Sequence, residues 1–152
     1  MTHIEHGLGE WVVVLEKNTG FTDQAYERRK KRDEFIAAVK KRWQEGYDLI
    51  DIEYGEGRFT GIFAEGTGLK DQALIERSFW YDVQKAVAKY WKKGYRVSDI
   101  EYTLGRWMVL FSKYPRTLHQ RYESAPTIEA LRKRFDRLRT EGFGIVDLAE
   151  GW

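Results

Sequence analysis

The sequence predicts an α+β fold made of three consecutive copies of one 48-residue unit. Glycines mark the start of each copy at positions 9, 57 and 105, without insertion or gap. Residues 9–56 and 57–104 are identical at 17 of 48 positions, whereas roughly three matches are expected by chance; fixed-period similarity of this kind is the signature of a repeat protein. Within each copy the apolar spacing changes from that of a strand to that of a helix.

Each unit is predicted as a strand, a short extended piece, a helix and a second strand. β-branched and aromatic residues are dense in the first strands, apolar residues follow helical spacing, and a glycine closes each helix. The second strand leads into the next copy through a hairpin. The first strands are expected at residues 10–15, 58–63 and 106–111, the short pieces at 24–28, 72–76 and 120–123, the helices at 33–44, 81–92 and 127–140, and the second strands at 49–54 and 97–102.

The two ends of the chain carry the same element, which suggests closure. Residues 145–148 repeat the second strand, and residues 4–7 are a short version of it. Exposed sheet edges promote aggregation, so we expect residues 145–148 to pair beside residues 11–15 and complete the first unit. The prediction is a single domain over residues 1–152, with units 9–56, 57–104 and 105–152. These units would form a closed or nearly closed antiparallel β-barrel with helices outside and pseudo-threefold symmetry. An open stack is the alternative.

Composition limits the classes of partner. Lys and Arg number 26 against 24 Asp and Glu, so net charge gives no reason to bind nucleic acid or an anionic membrane. The chain has no cysteine, which excludes disulfides and thiolate metal sites. We expect no signal peptide, because the first six residues lack a basic segment followed by an apolar run, and we find no apolar run of the roughly 20 residues that span a bilayer. We therefore expect a cytoplasmic, monomeric protein.

Short motifs in the first unit resemble two known domains. They are Trp11-Val-Val-Val, Thr19-Gly-Phe-Thr-Asp-Gln24, Arg42-Trp43 and Gly46-Tyr47. They resemble the repeat of an uncharacterised domain behind the catalytic domain of plant casein-kinase-like protein kinases. The Trp-x-x-Gly-Tyr phrase is also similar to repeats in the N-terminal barrel domain of fungal polyglycine hydrolases. Both resemblances imply a closed β-barrel that serves as an accessory or recognition domain, and neither brings catalytic residues.

Catalytic motifs are missing from the sequence. It contains no Gly-x-Ser-x-Gly or Ser-x-x-Lys nucleophile motif and no phosphate-binding glycine loop. The three histidines, His3, His6 and His119, do not follow metal-ligand spacing. We predict no catalytic residue, no metal and no cofactor.

Acidic residues alternate along the second strands and form the first candidate ligand site. Alternating positions share one face of a strand, so these carboxylates are expected together and can bind a cation, a basic peptide or a sugar. The structural alternative is a solvated face, or pairing with basic neighbours, because unpaired buried carboxylates are costly. The residues are Asp51, Glu53, Asp99, Glu101 and Asp147.

Repeated loop residues form the second candidate site. Asp23 and Asp71 suit either turn stabilisation or ligand contact, and Gln24, Gln72 and Gln120 suit one structural hydrogen bond in each unit. In the third unit His119 replaces the Asp, and we include it among the ligand-binding candidates.

These features predict a non-catalytic module or scaffold that binds a protein, a peptide or a glycan. One alternative is an enzyme whose site lies in the diverged loop with Tyr114, Arg116 and His119. Another is a nucleic-acid-binding surface formed by the basic stretch at residues 28–32 and by the arginines of the third helix. Oligomer formation through an unpaired sheet edge is a further alternative.

Overall fold

The computed structural model describes residues 2–151 as an α+β fold of strands and three helices, as the sequence predicts. For the predicted elements that form, the predicted and observed boundaries differ by at most two residues. The elements are β1 (His3–Gly7), β2 (Glu10–Val14), β3 (Asp23–Arg29), α1 (Arg32–Gln44), β4 (Asp48–Gly55), β5 (Arg58–Glu65), β6 (Asp71–Arg77), α2 (Trp80–Lys92), β7 (Arg96–Thr103), β8 (Arg106–Lys113) and α3 (Ile128–Thr140).

The strands form three small antiparallel sheets, two of which share one strand order. In β3-β5-β4 and in β6-β8-β7, the last strand along the chain takes the central place. The first sheet contains only β1 and β2. Each central strand thus begins the following copy of the repeat, and a unit needs its successor to complete its sheet.

Two-residue hairpins join β1 to β2, β4 to β5 and β7 to β8. Both residues of each turn have positive φ, as in Leu8 at 50° and Gly9 at 81°. This is the backbone of a type I′ turn, whose twist matches the twist of the paired strands. The short turns fix the register of each hairpin.

Helices α1 and α2 each cover one three-stranded sheet. Phe35 and Val39 of α1 are buried in one cluster with Phe59 and Phe63 of β5. Gly61 permits this approach, because a Cβ at that position would lie 3.0 Å from the Phe35 ring. Val83 and Val87 of α2 pack in the same way with β8. Complete burial of one such side chain contributes about 1.5–3 kcal/mol.

The third unit is incomplete. Helix α3 buries only Leu138, whereas α1 and α2 each bury three residues. The strands predicted at residues 120–123 and 145–148 do not form, and Val146 is 80% exposed. In the other units such strands flank a central strand, and the described residues supply no central strand here. Extended segments without a ladder partner leave their amides to water.

The predicted closed barrel is not confirmed. Within residues 2–151 the three sheets stay separate, and β2 pairs with β1 alone, so residues 145–148 do not complete the first unit. β1, β4 and β7 nevertheless lie side by side, which places the hairpins in a row. No helix in this part of the chain has the length and apolar character needed to cross a bilayer.

Candidate functional site

The repeated aspartates link neighbouring hairpins in the row. Asp51 accepts a hydrogen bond of 2.7 Å from the amide of Ile4, and Asp147 accepts one of 2.6 Å from the amide of Ile100. The amide of Ile52 donates to Asp99 in the same way. Each carboxylate therefore bonds the backbone of the preceding copy. The structure places these three aspartates along the row of hairpins.

A β-bulge precedes two of these aspartates. The register of β4 against β5 shifts between Leu49 and Asp51, and that of β7 against β8 shifts between Val97 and Asp99. A bulge re-aims the side chains that follow it. The shift accounts for carboxylates that leave their own sheet and reach the neighbouring hairpin.

Glu53 and Glu101 extend the same group, which we call the acid row: Asp51, Glu53, Asp99, Glu101 and Asp147. Glu53 accepts a bond of 3.3 Å from the amide of His6. At one end, His3 Nδ1 lies 3.2 Å from Asp51, and its Nε2 lies 3.0 Å from Glu5. Burial lowers the pKa of His3, but these two carboxylates outweigh it and the net pKa is raised.

Burial raises the pKa of the acid-row carboxyls, because loss of water disfavours the charged form. The pKa of Asp51 rises to about 6, that of Glu53 to about 7 and that of Glu101 to about 8. The pKa of Asp99 is raised well above its ordinary value by burial and then by the charge of Asp147, and its buried Oδ2 has no hydrogen-bond partner among the described residues.

The acid row acts as a structural link between units. Its aspartates are bonded to backbone amides, and residues 2–151 contain no group of three or more His, Asp or Glu residues placed to hold a metal ion. These carboxyls line neither the cleft beside Trp91 and His119 nor the cleft beside Tyr54 and Glu150. This geometry supports the structural alternative over ligand binding.

Two glutamines form a second link between units. Gln72 Oε1 accepts bonds from Trp43 Nε1 at 2.8 Å and from the Leu49 amide at 2.7 Å. Its Nε2 donates to the Leu49 carbonyl at 2.7 Å and to Ser112 Oγ at 2.9 Å. Gln120 repeats the bonds to an indole and to a strand, with Trp91 and Val97. The predicted structural hydrogen bond is found for both.

Asp23 and Asp71 do not belong to the acid row, and each accepts hydrogen bonds that stabilise the local backbone. Asp23 accepts a bond from the Tyr47 hydroxyl at 2.5 Å and one from the Gln24 amide at 2.8 Å. Asp71 has the equivalent bonds from Tyr95 and from the amide of Gln72. Each carboxylate therefore connects the first residue of a strand to the tyrosine that lies three residues beyond the end of the next helix.

His119 lines a cleft of about 290 Å³ between the second and third units. Its walls include Trp91, Arg96, Arg121 and Phe143. Arg96 donates to the carbonyls of Leu118 at 2.5 Å and Tyr95 at 2.6 Å, and no carboxylate in the described chain forms an ion pair with it. Arg121 lies 3.2 Å from Glu141. His119 has no carboxylate bonded to it among residues 2–151, and Tyr114 and Arg116 do not line the cleft.

This cleft reverses the charge of the equivalent junction one unit earlier. The residues 48 positions before Arg96, His119 and Arg121 are Asp48, Asp71 and Ala73. Phe143 stands where Tyr95 donates to Asp71. Arg96 thus replaces the carboxylate of Asp48, and His119 replaces that of Asp71. The change is found only by comparing the units position by position.

Ion pairs occupy the basic stretch before α1. Arg28 pairs with Glu56, Arg29 with Glu27 at 2.6 Å, and Arg32 with Glu76 at 3.0 Å. In the third unit Arg134 and Arg137 both approach Glu123 at 3.5 Å. Such pairing favours an ordinary solvated surface over a phosphate-binding one.

One edge of β2 has no partner strand among the described residues, which is the feature that the oligomer alternative requires. Val12, Val13 and Val14 are 55%, 41% and 50% exposed. Their equivalents in β5 and β8 are all buried. The sequence predicts this apolar run as a strand inside a closed sheet. Among the described residues β2 pairs with β1 on one edge, and no strand lies on its other edge.

Comparisons with known proteins identify a family without a stated activity. A family model described as "Domain of unknown function (DUF7477)" matches residues 4–135. Searches of curated proteins and of solved structures gave no significant match.

Proposed function

The chain belongs to the DUF7477 family, and we propose that it is a non-catalytic interaction module that binds an extended polypeptide along the bare edge of β2. One observation carries the proposal: β2 exposes three adjacent valines and an unpaired strand edge on a stack whose other sheets have three strands. Large exposed apolar patches mark interaction sites. Strand addition satisfies the edge with main-chain hydrogen bonds.

The other two sheets indicate the kind of partner. At the equivalent edge β5 carries β3, and β8 carries β6, both antiparallel. A partner of β2 is therefore expected to be an antiparallel strand whose alternate side chains cover the valines. β6, with the sequence Asp-Gln-Ala-Leu-Ile-Glu-Arg, is the natural template for a probe.

A peptide that copies residues 69–79 should bind β2. In a titration of ¹⁵N-labelled protein followed by NMR, we expect saturable shifts in β1 and β2. Replacing Val12 and Val14 with lysine should weaken binding at least tenfold, since charged residues protect strand edges from pairing. Leu8→Lys together with Leu104→Lys makes the same charge change at exposed hairpin turns and should leave binding intact. Shifts located elsewhere, or equal affinity of both variants, would refute the proposal.

The cleft at His119 supports a second candidate function, the binding of an oxyanion. Arg96 is half-buried and has no carboxylate partner in the described chain, and Arg121 and His119 stand at the same cleft. Guanidinium groups recognise phosphate and carboxylate through paired hydrogen bonds. A phosphate ester or a carboxylate of small size suits the cleft.

Binding of phenyl phosphate is compared with binding of benzoate to distinguish a phosphate site from a carboxylate site. Benzylamine is the cationic control. We expect one of the two anions to shift the indole signal of Trp91 in NMR spectra, and the Arg96→Gln variant to lose at least tenfold in affinity. Arg116→Gln removes an exposed arginine outside the cleft and should bind as the parent protein does. Equal shifts with benzylamine would rule out an oxyanion site.

A further inference from the structure

Helix α3 exposes the face that α1 and α2 bury. Leu131 and Phe135 occupy the repeat positions of Val83 and Val87. The two valines are 0% and 3% exposed, whereas Leu131 and Phe135 are only half-buried. At the start of the helix Ile128 is 60% exposed. The face lacks the central strand that covers it in the other units.

The strand that covers α2 is β8, and β2 has the same place in the repeat. Trp80 at the start of α2 packs on Trp107 of β8, with ring centroids 5.0 Å apart. The equivalents of these two tryptophans are Ile128 and Trp11. Among the described residues, β2 is therefore a central strand without a helix, and α3 is a helix without a central strand.

We infer that the polypeptide bound by β2 is the third unit of a second copy of this chain, so that copies associate head to tail. This inference rests on the proposed function and names its partner. Residues 120–125 of one copy would pair with the bare edge of β2 in the other, under the exposed face of α3. The contact repeats the interface between the second and third units within one chain.

The pairing of β6 with β8 fixes the expected register. There Leu74 lies opposite Leu110, and Ile75 lies opposite Val109. Moving the first residue of each pair forward by 48 positions and the second back by 96, as the repeat requires, places Tyr122 opposite Val14 and Glu123 opposite Val13. Tyr122 and Val14 are 41% and 50% exposed, so both are available for this contact.

Association also requires β1 of one copy to take the place of residues 147–151 of the other copy. β1 of the arriving hairpin corresponds in the repeat to residues 147–151. Those residues form no strand, so their replacement by β1 breaks no ladder, but it removes the hydrogen bond that the Ile100 amide donates to Asp147. A heterologous contact of this kind gives a ring when the rotation closes and a filament when it does not.

Disulfide trapping tests the register directly, because the chain contains no cysteine of its own. A mixture of the Val14→Cys and Tyr122→Cys variants is oxidised and compared with a mixture of Leu104→Cys and Tyr122→Cys. Directly opposed residues in antiparallel strands lie about 4.5–5.5 Å apart at Cα, within the range that a disulfide spans. We expect a covalent heterodimer in the first mixture at least tenfold in excess of the second.

Association in solution is the accompanying measurement. Light scattering across a range of concentrations should show masses above the monomer. The double variant Val12→Lys/Val14→Lys should be monomeric, and so should the single variant Leu131→Asp. A mixture of the two should form a heterodimer, because the first keeps an intact α3 and the second keeps an intact β2. Ile128→Asp, at an exposed position, replaces Leu131→Asp if circular dichroism shows that α3 has unfolded.

The outcomes separate the two proposals. A chain that stays monomeric and gives no specific cross-link, but binds the 69–79 peptide at β2, overturns head-to-tail association and leaves the proposed function standing. Failure of both the peptide and the cross-link overturns both. A Val14–Tyr122 disulfide that forms within the double variant, and not between single variants, would show closure inside one chain and would also overturn the inference.

Discussion

Replacing Gln72 with leucine should lower the free energy of unfolding by about 3–5 kcal/mol, the largest effect that we expect from a single polar substitution. The change removes the Gln72 bonds of the Trp43 indole and of both backbone groups of Leu49. It also removes one of the two hydroxyl bonds of Ser112, which keeps its bond to Ser98. Each buried group that loses its hydrogen bond costs about 1–3 kcal/mol. Because Gln72 joins α1, β4 and β8, the loss should loosen the first unit from the second.

Urea denaturation followed by tryptophan fluorescence measures this effect. Gln44→Leu makes the same chemical change at an exposed position near the end of α1 and should shift the free energy by no more than about 0.5 kcal/mol. Gln72→Glu keeps the acceptor and loses the amide donor, so an intermediate loss is expected. A Gln72→Leu variant as stable as Gln44→Leu would show that the glutamine does not link the units.

The second large effect is a loss of stability as the pH rises from 5 to 8.5. Folding raises the pKa of Asp51 to about 6, that of Glu53 to about 7 and that of Glu101 to about 8. Carboxyls in an unfolded chain have pKa values of about 4. Between these values the folded state binds more protons than the unfolded state, so the free energy of unfolding falls as the pH increases.

The pH window follows from the same values. The contribution of each carboxyl is fully present below about pH 4 and is lost as the pH passes its folded pKa, last for Glu101. His3, whose pKa is also raised, acts in the same direction. We expect a total loss on the order of 3 kcal/mol, which corresponds to about 6–12 °C in Tm for a domain of this size.

Glu101→Gln isolates the effect. The amide cannot ionise, so the variant should be more stable than the parent protein at pH 8.5 by about 2 kcal/mol and should show a flatter pH profile. Glu16→Gln, at an exposed position, should change neither property. A stability that increases with pH in the parent protein would mean that the acid row is charged and well solvated in the folded state.

Local periodicity predicted most of the elements, because their signals lie within a few residues of one another. Apolar spacing located α1 and α2, and glycine marked their ends. The structural hydrogen bonds of Gln72 and Gln120 were also predicted from the repeat, because a glutamine that recurs in every unit suits one such bond in each unit. The resemblance to the kinase-associated and polyglycine hydrolase domains remains a prediction.

Closure and the functional surface were not predictable in the same way. Residues 145–148 have the composition of a strand, but a strand needs a partner, and strand order depends on contacts far apart in the sequence. The Asp51 side chain reaches the Ile4 amide only because a bulge turns it toward the neighbouring hairpin. The change of charge at Arg96 and His119 could be recognised only by comparison with Asp48 and Asp71 at the junction one unit earlier.

Residue-resolved amide hydrogen exchange of β2, compared with β5 and β8, tests the central claim most directly. In dilute protein, the amides of β5 and β8 should exchange slowly along their length, while β2 should contain rapidly exchanging amides at its bare edge. Saturation with the 69–79 peptide should slow exchange throughout β2. Protection of β2 equal to that of β5 in the monomer, or no change on saturation, would contradict the account.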